Sequence, residues 1–480
     1  MRRQAGPALE ISKETTFIEG PLNDEGRVDI RRHLNALRCK GVVPKENAAI
    51  PLIAILCADE WTPEERKQIV VSLGENPFEM NLPRFSGPYA EQGLTDDYFA
   101  ALESREKGPL EATTLLRDWI EKNSDGIDAC FKAIHLDAFF APLIRESQSS
   151  GSDRDGDEFP IDTTGPIMAQ LKYVMDVASL RAEIRFREEN NNEWYSTLAN
   201  MYHIPRLANQ QDAKGLSRSM SIASLVKHAQ ETELAILRSW DLSNEQFQSI
   251  ADLHHKNEWF VNSHFVIEAY DRLQVLKLIE NIGLDGFRFK PYESSGVPKA
   301  MFDVQDAVDS GIDINLALRH ANHLVDRLTD AMMHVDPAMR QESLHELQAE
   351  FAVYNQRLDS QKMLNTRESR SKGLAEVCVA ALLPPETLAD AIEITSGTKA
   401  RDALLRVAAA VRAYQSENDT LPQNLDELVP DYLPRIPHDQ DSEKVLPTYR
   451  ILESGFELSW PGNEKSEQKS LRLIGSPLNK

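Results

Sequence analysis

No run of residues in this chain is apolar for long enough to cross a bilayer as a helix. The most apolar stretch, "AAIPLIAILCA" over 48–58, is too short to span and predicts a buried helix. The opening "MRRQAGPALEISKETTF" carries basic residues with no apolar core behind them, so as written it is not a signal peptide. Cysteine is scarce: Cys39, Cys57, Cys130 and Cys378 lie far apart with no CxxC pair. That spacing excludes a zinc ribbon and a dense disulfide scaffold, and free buried thiols are the expected state. Only export would allow a disulfide, so cysteine leaves the compartment and the redox state open. Positive charge is also in deficit. Lys and Arg number 53 against 76 Asp and Glu, a net charge of −23, and such a surface repels a phosphate backbone. The densest basic stretches, "RRHLNALRCK" and "RESRSK", are short and read as solvated helix faces, so no nucleic-acid partner is expected. There is no GxSxG, no Walker-type loop and no GxGxxG opening a helix, which removes any warrant for naming a reaction.

What the chain does have is helical periodicity. Its 480 residues exceed one ordinary domain, and 41% hydrophobic with 27% charged residues describes a globular protein. "PLEATTLLRDWIEKNSDGIDACFKAI" predicts a helix from about 109, a polar "NSDG" turn, and a second helix carrying Ile127, Phe131 and Ile134. Leu171, Val174, Met175, Ala178 and Ala182 form a stripe that "NNN" interrupts before Trp194, Leu198 and Met201 resume it. Residues 217–240 place Ile222, Leu225, Val226, Ala229, Ile236, Leu237 and Trp240 on one face. Ser243 with Gln246 makes a capping box before Phe247 and Ile250. Helices around 258–282, 314–335 and 338–358 follow. Consecutive amphipathic helices joined by short polar turns predict a bundle or an irregular solenoid of helical hairpins, with no fixed-period repeat.

Two places invite a reading as chemistry. The Ser/Gly/Asp-rich segment 145–165 predicts a flexible acidic loop, yet Asp153, Asp155, Gly156 and Asp162 fall at positions 3, 5, 6 and 12 of a calcium loop. Gly151 at position 1 and the short Asp at position 12 argue against calcium there. Among histidines, His254, His255, Glu258 and His264 lack the spacing of a zinc-protease helix. His320 and His323 share a helix face and could both reach one metal, but two such residues on an amphipathic helix serve more often as boundary residues. No catalytic, cofactor-binding or metal residue is therefore assigned, and no cofactor.

The C-terminal stretch is more specific. "TKARDALLRVAAAVRAYQSEN" predicts a strong helix with a stripe through Leu404, Val407, Ala408, Val411 and Tyr414, and Arg412 facing outward. "QNLDELVP" gives one helical turn with Leu425 and Leu428 pointing in, and Pro434 and Pro437 force "DYLPRIPHD" to be extended. Tyr449 and Ile451, then Phe456, Leu458 and Trp460, alternate around "ESG", a three-residue hairpin loop with Gly455 in its left-handed position. "SLRLIG" supplies a third strand, and the helix could run back without a break towards Glu386. This order over 398–462 resembles the globular part of major pseudopilins of type II secretion systems. The apolar segment by which pilins polymerise is not found before residue 398, and "PGNEKSEQKS" stands where that family has its calcium loop. Neither pilus assembly nor bound calcium is implied. The chain as a whole, from "ETTFIEGPLNDEGRVDIRRHLNALRCKGVVPKENAAIPLIAIL" onward, is similar to a looser group of large bacterial proteins with a helical body and this pseudopilin-like end. A signal anchor commonly precedes that opening in the group, so the resemblance implies a cell-envelope, periplasm-facing location, with membrane contact only through an anchor not present in this sequence.

The expected architecture is mainly α: an extended N-terminal segment over 1–25, a helical body over 26–385, and a small α+β domain over 386–480. In the last, a long helix crosses a three-stranded antiparallel sheet. The expected function is a non-catalytic envelope or secretion-associated scaffold with protein partners. A metal-dependent or acid/base hydrolase using the helical body, and a soluble cytoplasmic scaffold, stand as alternatives.

Overall fold

A computed structural model describes the chain except for residues 1–7, 91–92, 108–111, 146–159, 190–192, 210–215, 240–241, 257–268, 286–310, 335, 360–365, 439–444, 462–469 and 475–480. The protein is mainly helical. In chain order the helices are α1 (Ile30–Arg38), α2 (Ala49–Leu56), α3 (Pro63–Leu73), α4 (Leu94–Lys107), α5 (Thr114–Lys122) and α6 (Ser124–Ile134). Two short strands, β1 (Leu143–Ile144) and β2 (Ile161–Asp162), lead into α7 (Thr164–Glu189), α8 (Glu193–Asn209), α9 (Leu216–Ser239), α10 (Asn244–Lys256) and α11 (Ala269–Glu280). Then come α12 (Ile314–Met332), α13 (Pro337–Asp359), α14 (Arg367–Leu382) and α15 (Pro385–Asn418), followed by β3 (Thr448–Leu452), β4 (Gly455–Ser459) and β5 (Ser470–Ile474).

The helix starts are chemically explicit. Thr62 and Glu65 close a capping box before α3, Pro63 fills the first turn, and Gly74 ends it at a φ of 73°. Ser243 and Gln246 cap α10 reciprocally, with Gln246 accepting from the Ser243 amide at 2.8 Å. Asp313 caps α12, accepting from the Leu316 amide at 3.2 Å.

Two hydrophobic cores form among the described residues. The first gathers α2 to α10, α3 through Ile69 and Leu73, with residues 404–413 of α15, the 3-10 turn Leu425–Leu428, Leu433, and the inner face of the C-terminal sheet. The second gathers Val28, Ile30 and Leu34 with α11 to α14 and the start of α15, through Leu388 and Ala391. Helix α15 is continuous over 34 residues and belongs to both. The stripes read in α6, α7 and α8 are buried, in α15 the same holds through Val411 while Tyr414 is only partly buried, and in α9 it holds for every stripe residue through Leu237. Trp240 lies outside the described residues.

The three strands pair antiparallel in the order β3-β4-β5. Leu458 faces Tyr449 and Leu471 across the ladders, and Phe456 faces Ile451 and Leu473, so these six residues share one face. Helix α15 lies against β4 and β5, and the Trp460 indole donates to the Ala400 carbonyl at 3.1 Å.

Several expectations are corrected. The start expected near 109 lies outside the described residues; within them α5 begins at Thr114, where Thr113 accepts from the Leu116 amide and sets the cap. "NSDG" is not a turn of four residues: only Asn123 interrupts, and Gly126 lies in α6, where a Cβ would stand 2.8 Å from the Arg84 carbonyl oxygen. Close approach, not a bend, requires that glycine. Of the segment 145–165, residues 146–159 lie outside the described residues, but the C-terminal part is built into the fold: β2 pairs with β1 and α7 begins at Thr164. The C-terminal hairpin loop has two residues, Glu453 and Ser454, since Leu452 already pairs with Gly455, whose φ is 156°. Ile451 is on the core face but at the uncovered edge strand, 42% exposed. Arg412 does not face outward. It is half-buried, with its guanidinium 5.3 Å from the Phe247 ring centroid. Helices α3 and α4 have no counterpart in the sequence reading. The basic stretches of α1 and α14 are helical as read, but Arg38 is buried against Asp162 and not solvated. The stretch 258–282 is helical over Ala269–Glu280 within the described residues, ending in a π turn over Asn281–Asp285.

Candidate functional site

The residues singled out in the sequence do not converge. Asp162 accepts from Arg38 Nη1 at 3.1 Å and from the Thr164 amide at 2.9 Å, so its oxygens serve to tie α1 to the start of α7. Gly151, Asp153, Asp155 and Gly156 lie outside the described residues, as do the His254 and His255 side chains, Glu258 and His264. His320 turns towards α14, its Nε2 3.2 Å from Glu376 Oε1, while His323 is exposed. The two therefore point to different surroundings. Among the described residues, no group of three or more His, Cys, Asp or Glu is placed to hold a metal ion. Cys57, Cys130 and Cys378 are buried free thiols, as expected, whereas Cys39 is exposed.

A different cluster does form, from three helices of the first core. Asp176, on α7, is 1% exposed within the apolar run "YVMDVASL". A buried carboxylate is costly unless it is bonded, and here both oxygens are engaged. Tyr98 of α4 donates to Oδ2 at 2.5 Å, and His228 Nε2 of α9 pairs with Oδ1. Burial, reinforced by the Asp176 charge, pushes the Tyr98 phenol far above its ordinary range, so it remains a donor. The other His228 nitrogen, Nδ1, lies 4.0 Å from Glu231 Oε2. One helical turn on, Thr232 meets Ser179 hydroxyl to hydroxyl at 3.5 Å. Buried Glu233 accepts from the Tyr202 phenol of α8, and Gln230 donates to the Thr398 carbonyl of α15 at 2.8 Å. Helix α9 is thus a polar rail that registers α4, α7, α8 and α15.

Above Asp176 the same residues support an aromatic ledge. Tyr98 sits edge-on to Phe99 at 5.1 Å, to Trp119 at 6.2 Å and to Tyr173 at 6.4 Å between centroids. Tyr89 stacks edge-on to Tyr173 at 5.7 Å and leans on Phe99 at 6.4 Å. Tyr89 is 61% and Phe99 44% exposed. The outer rings therefore face solvent while their base is fixed by a buried hydrogen-bonded tie. Sequence reading missed this cluster. The available signal was the acid at position 176 inside an apolar stripe, because a buried acid demands partners.

No family model matches the chain, and neither a curated protein nor a solved structure matches it.

Chemically, Asp176 is occupied on both oxygens and His228 has a carboxylate opposite each ring nitrogen. That arrangement fixes helices. The exposed rings, by contrast, offer a rigid apolar and amphipathic surface of the kind that anchors protein interfaces.

Proposed function

We propose that this chain is a non-catalytic interaction protein of the cell envelope whose C-terminal module resembles a major pseudopilin. The aromatic ledge of Tyr89, Phe99 and Tyr173, held from below by Tyr98–Asp176–His228, carries the interaction part of this reading. Tyrosine supplies large contact area with little side-chain entropy to lose, and here that entropy is already restricted by packing. The envelope part rests on the resemblance of residues 398–462. Its support is the sequence of elements: a long helix, a 3-10 turn at Leu425–Leu428, and an antiparallel meander closed by Trp460.

A photo-crosslinking side chain placed at Tyr89 in the native host tests the interaction reading, with fractionation of the same cells testing location. The expected result is a discrete adduct from position 89 that position 71 does not give, because Val71 is 83% exposed on α3 away from the ledge. Equal adduct patterns from both positions would overturn it. The acid/base hydrolase reading would instead run through His228, the member of the cluster nearest solvent. Turnover that His228→Ala abolished in a folded protein would favour that second reading.

A further inference from the structure

Residues 8–18 run along α12 as non-helical chain, and α12 holds them almost entirely by their peptide groups. Asn315 Oδ1 accepts from the Glu10 amide at 2.8 Å while its Nδ2 donates to the Ala8 carbonyl at 2.9 Å, bracketing Leu9. Seven residues on, Asn322 Nδ2 donates to the carbonyls of Glu14 and Thr15 at 3.0 and 3.1 Å. Two helical turns put the two amides on one face, roughly 10 Å apart along the axis. Both asparagines are buried, a position where this residue type favours neither helix nor core unless its hydrogen bonds are used. The outer amide is also oriented in advance. Arg272 of α11 donates to Asn322 Oδ1 at 3.3 Å and to Asp326 at 2.6 Å, which leaves Asn322 Nδ2 to point at the strap. Side chains add a second level. Leu9 and Ile11, alternating with exposed Ala8 and Glu10, pack on the second core, and Phe17 lies 4.5 Å beneath the Arg272 guanidinium. On the surface Arg319 reaches a polar side chain of the strap, Glu10 Oε2, at 3.0 Å.

Main-chain bonds that give affinity, with shallow apolar seats that give selectivity, are the elements of a peptide-recognition groove. We propose that the face made by α11 and α12 is such a groove, that residues 8–18 occupy it in cis, and that its ligand in trans is an extended polypeptide segment. The segment's pattern is two aliphatic side chains two residues apart, then a tight turn and an aromatic residue. The groove lies on the second core, apart from the aromatic ledge, and stands independently of the reading given for that ledge.

The test uses the full chain with a protease-cleavage sequence placed in the exposed turn Asn23–Gly26 and cut after folding. Labelled synthetic peptide of residues 7–19 is then added and followed by fluorescence anisotropy. Cut protein should take up the peptide saturably, and uncut protein should not. Asn315→Ala with Asn322→Ala should weaken uptake by about tenfold or more, as should N-methylation of the peptide at the Glu10 amide. A peptide with Glu10→Ala should bind within about threefold of the parent, since that contact is exposed. Equal binding of the N-methylated peptide would overturn the proposal, as would uptake by the uncut chain. So would a cut chain that unfolds when its strap leaves, or one whose strap never exchanges, since either outcome makes residues 8–18 a part of the core and not an occupant.

Discussion

Val411 and Val71 allow the same substitution to be made at two helical positions that differ in one variable. Val411 is fully buried in α15, in the core shared with Phe456, Leu458 and Leu428. Val71 is 83% exposed on α3. Val→Ala removes two methyl-sized groups, worth ~1.6 kcal/mol in transfer from water at ~0.8 kcal/mol each. A cavity term adds to this at Val411, because α15 is held on one flank by α9 and α10 and on the other by the sheet, so the site cannot collapse freely. Alanine's better helix propensity returns roughly 0.5 kcal/mol at either position. The net expectation is a loss of about 2 kcal/mol at Val411 and a change between zero and about 0.5 kcal/mol in the stabilising direction at Val71.

Native-state hydrogen exchange read by mass spectrometry measures this locally and needs no all-or-none unfolding of so long a chain. In a fragment covering 404–413, Val411→Ala should speed exchange by about thirtyfold, since ~1.4 kcal/mol is tenfold. Val71→Ala should leave that fragment unchanged. A response below about threefold at Val411 would refute the burial argument, and with it the packing of α15 on the sheet.

Gly126→Ala should destabilise by about 1–2 kcal/mol although alanine favours helix by roughly 1, because the new Cβ meets the Arg84 backbone. Urea midpoints compare it with wild type. Burial, then the neighbouring His135, lowers the His203 pKa below its ordinary range. The unfolded chain then binds the proton better, so this contribution is complete above about pH 6.5 and is lost as pH falls below it. His203→Asn should flatten the acid side of a stability–pH profile measured by thermal unfolding, and an unchanged slope would refute this. Iodoacetamide on the native protein should label Cys39 alone, since burial pushes the Cys57 thiol up to about 12 and raises Cys130 and Cys378 as well. Mass spectrometry of labelled peptides decides it.

How much was legible in the sequence depends on where each signal lies. Helices α7, α9 and α15 bury one continuous stripe, so periodicity alone located them, and the meander followed from its alternation. Short α3 has no such stripe, and its evidence was in its ends: the Thr62–Glu65 box, Pro63 and Gly74. Gly126 misled because "SDG" has turn composition, whereas tertiary contact with Arg84 chose helix. Arg412 misled in a similar way: its position on the helix is outward with respect to the sheet, but α10 covers that flank. The Tyr98–Asp176 bond joins residues 78 apart, and Asn315 holds residues more than 300 positions earlier. No local pattern encodes such pairings. Only the cost of burying Asp176, Asn315 or Asn322 unbonded points to them, and that cost names the need without naming the partner.

The position of α15 changes how the C-terminal module should be thought about. At roughly 1.5 Å per residue a helix of this length spans about 50 Å, far more than a small sheet can cover. Its first turns are core of the α11–α14 unit, through Leu388 and Ala391, and its last turns are core of the first unit. The intervening stretch is tied by Gln230 to the Thr398 carbonyl and by Trp460 to the Ala400 carbonyl. Near its end, Asn244 reaches Glu417 at 3.0 Å and Arg412 covers Phe247, both on α10. The sheet is therefore less an appended domain than the lid on a helix that both cores require. Any partner that held the sheet would pull on the same rod that seats the α11–α14 unit, where α12 carries the strap. In this architecture the C-terminal module and the α11–α14 unit share one element, and α15 is that element.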